Sequence, residues 1–337
     1  MPLSNSAIKS FVVNYRVNVQ QNADGAAILP IAWLMSFPNS GTSYTMGMVK
    51  KVTGLNPASN YGKESRGEDG LSVAVFATNG SVAGPPFWND PISQTLVRPS
   101  KGYILTKTHC GSRCNNCGVS KYVENHALFL QHCLEGRYHT KVGNGKLIER
   151  VGTYDKALVQ RAVHLIRDPF DNVVSRFHLH YNNLVKRNRT DQVALYPRTR
   201  DGFRRFCSDQ DRHFYSEEKQ SKFYQDVFDT VKDVPCHADF YRYVQWHNLA
   251  FITIWNLEIP SLIIHYENYA NNFNKTKDTL LDFVGQSGIY DAPPFVSGKT
   301  YREYYLQEEI DNVYVLFVKL ALEKTWSNTK HYFGSKR

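Results

Sequence analysis

Four short apolar runs, Ile28–Met35, Gly102–Thr106, Arg161–Ile166 and Ser261–His265, constrain this chain more than any other feature. Each is rich in β-branched residues and is followed by polar or helical sequence. Strands apolar on both faces belong to a parallel sheet that helices cover on each side, since parallel neighbours are joined by long crossovers. The runs therefore predict an α/β fold with buried parallel strands and helical connections.

Between the runs lie three stretches that read as insertions, at about residues 56–99, 110–150 and 186–239. The first is rich in Gly, Pro and Ser and predicts a long surface loop. The second carries Cys110, Cys114, Cys117 and Cys133 and ends in GNGKL; the third is charged and aromatic. No repeat of 20–50 residues is present, which excludes solenoids and propellers. Near the end, Leu306, Ile310, Val313, Phe317 and Leu320 recur at three- and four-residue steps and predict an amphipathic core helix.

At 337 residues, 42% of them hydrophobic, the chain can bury a sizeable core, and a single domain over 1–337 is expected. The longest uncharged apolar stretch, Ala26–Met35, falls well short of the roughly 20 residues of a membrane helix, and Pro30 interrupts it. The opening MPLSNSAIKS has neither the basic start nor the apolar core of a secretory signal. A formal charge of +9 favours anionic partners: nucleic acid, acidic lipid, nucleotides or acidic glycans.

Directly after the first run comes SFPNSGTSYT, Ser36–Thr45. Pro38 and Gly41 permit a tight turn, and Thr42–Lys51 can continue as a helix with Met46 and Val49 inward. A helix start offers unpaired N–H groups and the positive end of the dipole, which suit a phosphate. Ser40, Thr42, Ser43 and Thr45 add hydroxyls; the alternative is an ordinary N-cap turn. No lysine follows Gly41, so the stretch is not a Walker A loop, which disfavours a P-loop kinase or NTPase.

A second strand-to-helix joint lies in AVHLIRDPFDNVVSRFHLHY, Ala162–Tyr181. Asp168 is placed to cap a helix that has Pro169 in its first position. Arg167 then stands at the carboxyl end of a strand, where open α/β sheets bind ligands, and Ser175 follows two turns into the helix. A guanidinium and a hydroxyl converging on one point suit a phosphate monoester. The alternative is Arg167 pairing with Asp168 or Asp171 in a solvated joint.

Together, SFPNSGTSYT, ILTKTH and LIRDPFDNVVSRF, in this order and spacing, resemble the sulfotransferases that use 3′-phosphoadenosine 5′-phosphosulfate (PAPS). The later VQWHNLAFITIWNLEIPSLIIHYENYANN is similar to another block of that family, so the resemblance covers most of Ile28–Tyr269. It implies a three-layer sandwich with a central parallel sheet of about five strands, P-loop NTPase-like. It implies that Ser40, Gly41, Thr42, Ser43 and Thr45 form the loop that holds the 5′-phosphosulfate, that Tyr44 stacks on adenine, and that Arg167 and Ser175 hold the 3′-phosphate. Lys107 and His109 would be catalytic, His109 as general base and Lys107 offsetting charge on the leaving oxygen. The implied reaction moves a sulfuryl group by in-line displacement to a hydroxyl or amine acceptor, a carbohydrate among the options, and requires no metal.

The chain departs from that family in three places. Asn39 replaces a loop lysine, which keeps open a catalytically impaired protein that binds a nucleotide or an anionic glycan. The family's C-terminal RKGxxGDW block is missing, and Lys299 and Arg302 in SGKTYREYY are the candidate substitutes for its 3′-phosphate contacts. The cysteine cluster admits disulfides, free thiols or a zinc site, made by Cys110, Cys114, Cys117 and Cys133 or with His109 or His132. Asn79, Asn188 and Asn274 begin glycosylation acceptor triplets; with the cysteines they tilt the expectation towards a Golgi lumenal or membrane-associated enzyme, with the cytoplasm as alternative. The basic run Lys186–Arg205 offers a surface for an acidic glycan or is simply solvated, and no recognisable nucleic-acid fold accompanies it.

Overall fold

A computed structural model describes residues 20–21, 27–28, 30–61, 101–111, 125–141, 147–218, 225–296 and 300–334. In chain order the elements begin with a two-residue antiparallel pairing of β1 (Gln20–Gln21) with β2 (Ala27–Ile28), then β3 (Ile31–Ser36), α1 (Thr42–Thr53), β4 (Ala58–Ser59) and β5 (Ile104–Thr108). Next come α2 (His126–Leu134) and an antiparallel hairpin of β6 (Glu135–Lys141) and β7 (Leu147–Thr153). The chain continues through β8 (Val159–Ile166), α3 (Pro169–Lys186), α4 (Thr190–Leu195), α5 (Arg200–Glu218), α6 (Gln225–Val231) and α7 (His237–Asn256). It finishes with β9 (Ser261–His265), α8 (Asn268–Asn271), α9 (Phe273–Phe283), α10 (Gln307–Leu320) and α11 (Glu323–Thr329).

Five of these strands form one parallel sheet in the order β4-β5-β3-β8-β9. All four apolar runs lie in it, with ends shifted by a few residues. Alternate side chains of β3 serve opposite faces: Ile31, Trp33 and Met35 join one core cluster, while Ala32 and Leu34 join the other. The first cluster is completed by Val173 and Phe177 of α3, Phe240 and Val244 of α7, and Val313 and Phe317 of α10. The second is completed by Met48, Val49 and Val52 of α1 and by Leu280 and Leu281 of α9. Helices thus cover both faces, giving three layers. In α1, Met48 takes the fully buried place expected of Met46, which is only half-buried.

The expected insertions are structured where described. Residues 58–59 add an edge strand to the sheet, residues 126–141 supply α2 and half of the hairpin, and the third stretch folds into α4, α5 and α6. Cys207 and Cys236 form a disulfide that ties α5 to the start of α7. No helix among the described residues is long and apolar enough to cross a membrane.

Central β3 lies between β5 and β8, and the chain visits β5 before it crosses to β8 on the other side. At such a reversal the loops leaving adjacent strands diverge and open a crevice at the carboxyl edge of the sheet. Ser36, Thr108 and Ile166 end the three strands at that edge, so the loop at Asn39–Gly41, His109 and Arg167 all emerge beside one crevice.

Candidate functional site

The loop after β3 owes its shape to two left-handed residues, Asn39 at φ 67° and Gly41 at φ 95°. Asn tolerates that region, whereas Gly41 has a second reason to lack a side chain. A Cβ there would lie 2.1 Å from Cδ2 of Tyr266, whose ring covers the turn. Within the loop the Ser36 and Thr42 hydroxyls are 2.8 Å apart.

Two predicted contributors face inward instead. The Ser40 hydroxyl accepts from Nδ2 of Asn172 at 3.0 Å. Thr45 donates to the Gly41 carbonyl at 3.2 Å, and its hydroxyl lies 3.2 Å from that of Tyr269. Both hydroxyls build the loop rather than line the crevice. Gly41, Thr42, Ser43 and Tyr44 do line it. Tyr44 is held edge-on by Tyr269 and Phe295, with ring centroids 5.2 and 4.9 Å away.

β5 extends through Thr108 rather than ending at Thr106, so Lys107 is an internal strand residue paired opposite Leu34. Strand alternation puts Lys107 and His109 on the same side, and both reach the crevice although each is about nineteen-twentieths buried: 4% and 5% exposed. His109 is fixed from several directions. Its backbone N–H donates to the Tyr61 hydroxyl at 2.8 Å, and its carbonyl accepts from Nε1 of Trp246 at 2.9 Å. The imidazole stacks on Tyr61, centroids 5.4 Å apart, and Nδ1 lies 2.7 Å from the Ser36 carbonyl oxygen. A carbonyl can only accept, so the neutral ring carries its hydrogen on Nδ1 and its basic lone pair on Nε2.

Cys110 and Cys133 form a disulfide immediately after His109. That pairing removes both sulfurs from the zinc alternative; Cys114 and Cys117 lie outside the described residues. Among the described residues no cluster of three or more His, Cys, Asp or Glu is arranged to hold a metal ion.

At the second joint Asp168 caps α3, accepting from the Phe170 and Asp171 N–H groups at 2.8 and 3.3 Å, with Pro169 in the first turn. Arg167 pairs with neither aspartate. Its Nη1 donates to the Asn39 carbonyl at 2.8 Å, its guanidinium lies 4.8 Å from the Tyr266 ring centre, and its buried Nε has no partner. Asn172 reinforces the link, donating to the Pro38 carbonyl at 2.8 Å as well as to Ser40. The two joints are therefore bolted together.

Burial, with the nearby Asp171 carboxylate, pushes Asp168 up to about 7. Burial raises Asp171 to about 6, opposed by the hydrogen bond from the Tyr301 N–H and by Arg167.

The resulting cleft has a volume of about 580 Å³. Gly41, Thr42, Ser43, Tyr44, Lys107, His109, Arg167 and Ser175 share its wall. Arg302 does not: it donates to the Tyr332 carbonyl and lies over the Phe170 ring at 5.1 Å. Lys299 is outside the described residues. A larger hollow of about 880 Å³ beside Trp255 and Ile259 is lined by Glu258 and Lys324 and by no arginine or histidine among the described residues.

Several cleft residues escaped the sequence reading. Tyr266 sits just past the end of β9, a place a parallel-sheet argument can find. His178, Leu179 and Asn182 follow Ser175 at helical spacing on α3, a pattern also present in the sequence. Tyr301 arrives from a distant loop and carries no local signal, whereas Arg198 belongs to the basic run Lys186–Arg205 already marked in the sequence. Comparison with family models, curated proteins and solved structures finds no match to this chain.

Proposed function

We propose that the chain is a sulfotransferase using PAPS as donor, with a P-loop-like nucleotide site on its parallel sheet. The observation that carries this reading is the single cleft that joins the Gly41 loop to Arg167 and Ser175, with Lys107 and His109 from the end of β5 on the same wall. Two anion sites within one pocket suit a nucleotide phosphorylated at both its 5′ and 3′ positions. The unpartnered Nε of Arg167 is a buried donor that a 3′-phosphate oxygen would satisfy.

In this reading the Gly41–Ser43 turn and the first N–H groups of α1 hold the 5′ end, and Tyr44 stacks on the base. His109 takes the acceptor's proton on Nε2 as the acceptor oxygen or nitrogen bonds to sulfur. The bond from sulfur to the 5′-phosphate oxygen breaks, and its electron pair stays on that oxygen. Lys107 offsets the charge that grows there. Alignment and charge stabilisation supply most of the rate. The two disulfides among the described residues support an oxidising compartment, and the Golgi lumen is the setting this reading takes.

Asn39 favours one competitor, a binding-only protein, because it supplies no charge at the loop. Transfer of labelled sulfate from PAPS to a panel of carbohydrate, phenol, alcohol and amine acceptors decides between them. Alongside it, calorimetry should detect adenosine 3′,5′-bisphosphate and not ATP. Tight ATP binding with no bisphosphate binding would return the chain to the kinase or NTPase class. Bisphosphate binding without transfer to any acceptor class would make it the binding-only form.

A further inference from the structure

We propose that the far end of the cleft is a subsite for a negatively charged sugar, formed by Arg198, Asn182 and Asn183, and that the acceptor is an acidic glycan. The assignment of the near end to the donor nucleotide rests on the sulfotransferase reading above.

Among the described residues the cleft wall has no aspartate or glutamate and four cationic side chains: Lys107, Arg167, Arg176 and Arg198. Lys107 and Arg167 belong to the donor end. Arg176 is already neutralised by Asp239 at 2.5 Å. Arg198 is exposed, and no ion pair engages it among the described residues. One positive charge is thus left over after the donor and the internal pairs are counted.

Its position is set by the fold. Asn182 is seven residues beyond Ser175 on α3, so it lies on nearly the same face about 10 Å further along the axis. Arg198 comes from the short connection between α4 and α5. That connection is held by the Tyr196 hydroxyl donating to Asp209 at 2.8 Å and by Thr199 N–H donating to the Pro197 carbonyl at 2.7 Å. Gly202 seats against it so closely that a Cβ would lie 1.9 Å from the Pro197 carbonyl oxygen. Arg198 is therefore presented on a fixed loop. Arg204, from the same basic run, is instead bound to both oxygens of Glu309 at 2.9 Å and serves the fold.

The residues that share the cleft wall with Arg198 suit a sugar. Side-chain amides donate and accept, as sugar hydroxyls do, and two adjacent amides match adjacent hydroxyls. The half-exposed Leu179 and the ring of Tyr301 offer apolar surface to the C–H face of a pyranose. Arg198 then pairs with a uronate carboxylate or an ester sulfate.

The test titrates the full chain, saturated with adenosine 3′,5′-bisphosphate, with three matched tetrasaccharides. One contains uronates, one is its carboxyl-reduced form, and one is that reduced form O-sulfated. The charged pair should bind about tenfold or more tightly than the neutral one. Arg198→Ala should erase the gap while leaving bisphosphate affinity unchanged, and Arg198→Lys should retain part of it. Equal binding of all three overturns the subsite. So does a loss of bisphosphate affinity in Arg198→Ala, which would give Arg198 to the nucleotide, or stronger competition from an acidic tyrosine peptide. A protein that fails to bind the bisphosphate sinks the donor reading instead, and the same titrations without nucleotide still decide the subsite.

Discussion

Nη1 of Arg167 donates to the backbone carbonyl of Asn39 across 2.8 Å, so the joint at β8 directly supports the loop at β3. The two ends of the proposed nucleotide site are mechanically coupled through that bond. Arg167→Ala should weaken adenosine 3′,5′-bisphosphate by roughly 10–100-fold, the size of a lost charged hydrogen bond of about 1.5–3 kcal/mol. Binding of adenosine 5′-phosphosulfate, which has no 3′-phosphate, should fall as well because the loop loses its support. Ser175→Ala should weaken only the 3′-phosphorylated ligand. Calorimetry with both nucleotides checks this, and an Arg167 variant with unchanged affinity for adenosine 5′-phosphosulfate would break the coupling argument.

His109→Ala should lower kcat for sulfate transfer by about 10²–10⁴-fold, the usual contribution of a general base. Bisphosphate affinity should fall much less, because the lost contact is to Ser36 at the start of the loop while Arg167 keeps its bond to Asn39. Near-normal turnover would remove His109 from the role.

Gly41→Ala forces a side chain into the Tyr266 ring at a φ of 95°. The expected loss is about 1–3 kcal/mol in urea unfolding. Tyr266→Ala in the same chain should recover the clash but not the backbone strain. Full stability of Gly41→Ala alone would show that the ring does not fill that space.

The Cys110–Cys133 bridge begins one residue after His109, and the Cys133 carbonyl accepts from Asn60 at 2.7 Å and from the Tyr154 hydroxyl at 3.0 Å. Replacing both cysteines by serine should cost about 2–4 kcal/mol of stability. Below the melting transition kcat should fall more than bisphosphate affinity, since the proposed base is anchored here and the proposed phosphate sites are not. Equal losses in both would make the bridge a general stabiliser.

Asp168→Asn keeps a capping side chain and removes the charge. The folded-state value of Asp168, about 7, lies above its ordinary 3.8, so folding favours the protonated form. Its contribution to stability is fully present below about pH 4 and is lost as pH rises towards 7. Buried His164, lowered to about 3, and His247, also lowered, impose the opposite slope, because the unfolded chain binds their protons first. The variant's advantage over the parent should therefore be small at pH 4 and grow up to pH 7–8. Urea midpoints across that range test it, and a variant less stable than the parent at pH 8 contradicts it.

What the sequence made legible was whatever is contiguous in the chain. The four apolar runs announce the sheet because buried parallel strands are apolar on both faces, while two-residue β4 has too few residues to signal itself. The turn at Gly41 and the joint at Arg167 each spell out their local geometry. The inward turn of the Ser40 and Thr45 hydroxyls is not legible locally, because their partners, Asn172 and Tyr269, are 132 and 224 positions away. The direction of Arg302 is set in the same way by Phe170 and Tyr332. The Cys207–Cys236 pairing, across 29 residues, left no local mark.

That pairing has an architectural outcome. Its Cα atoms are 4.6 Å apart, so the chain leaves and re-enters the staple at practically one point. Val227, Phe228 and Val231 of α6 lie in the same core cluster as Val313 and Phe317 of α10, so the stapled stretch is pinned through its apolar face as well as at its ends. A graft between those cysteines has to carry that face with it, and only its solvent side is open to new surface chemistry.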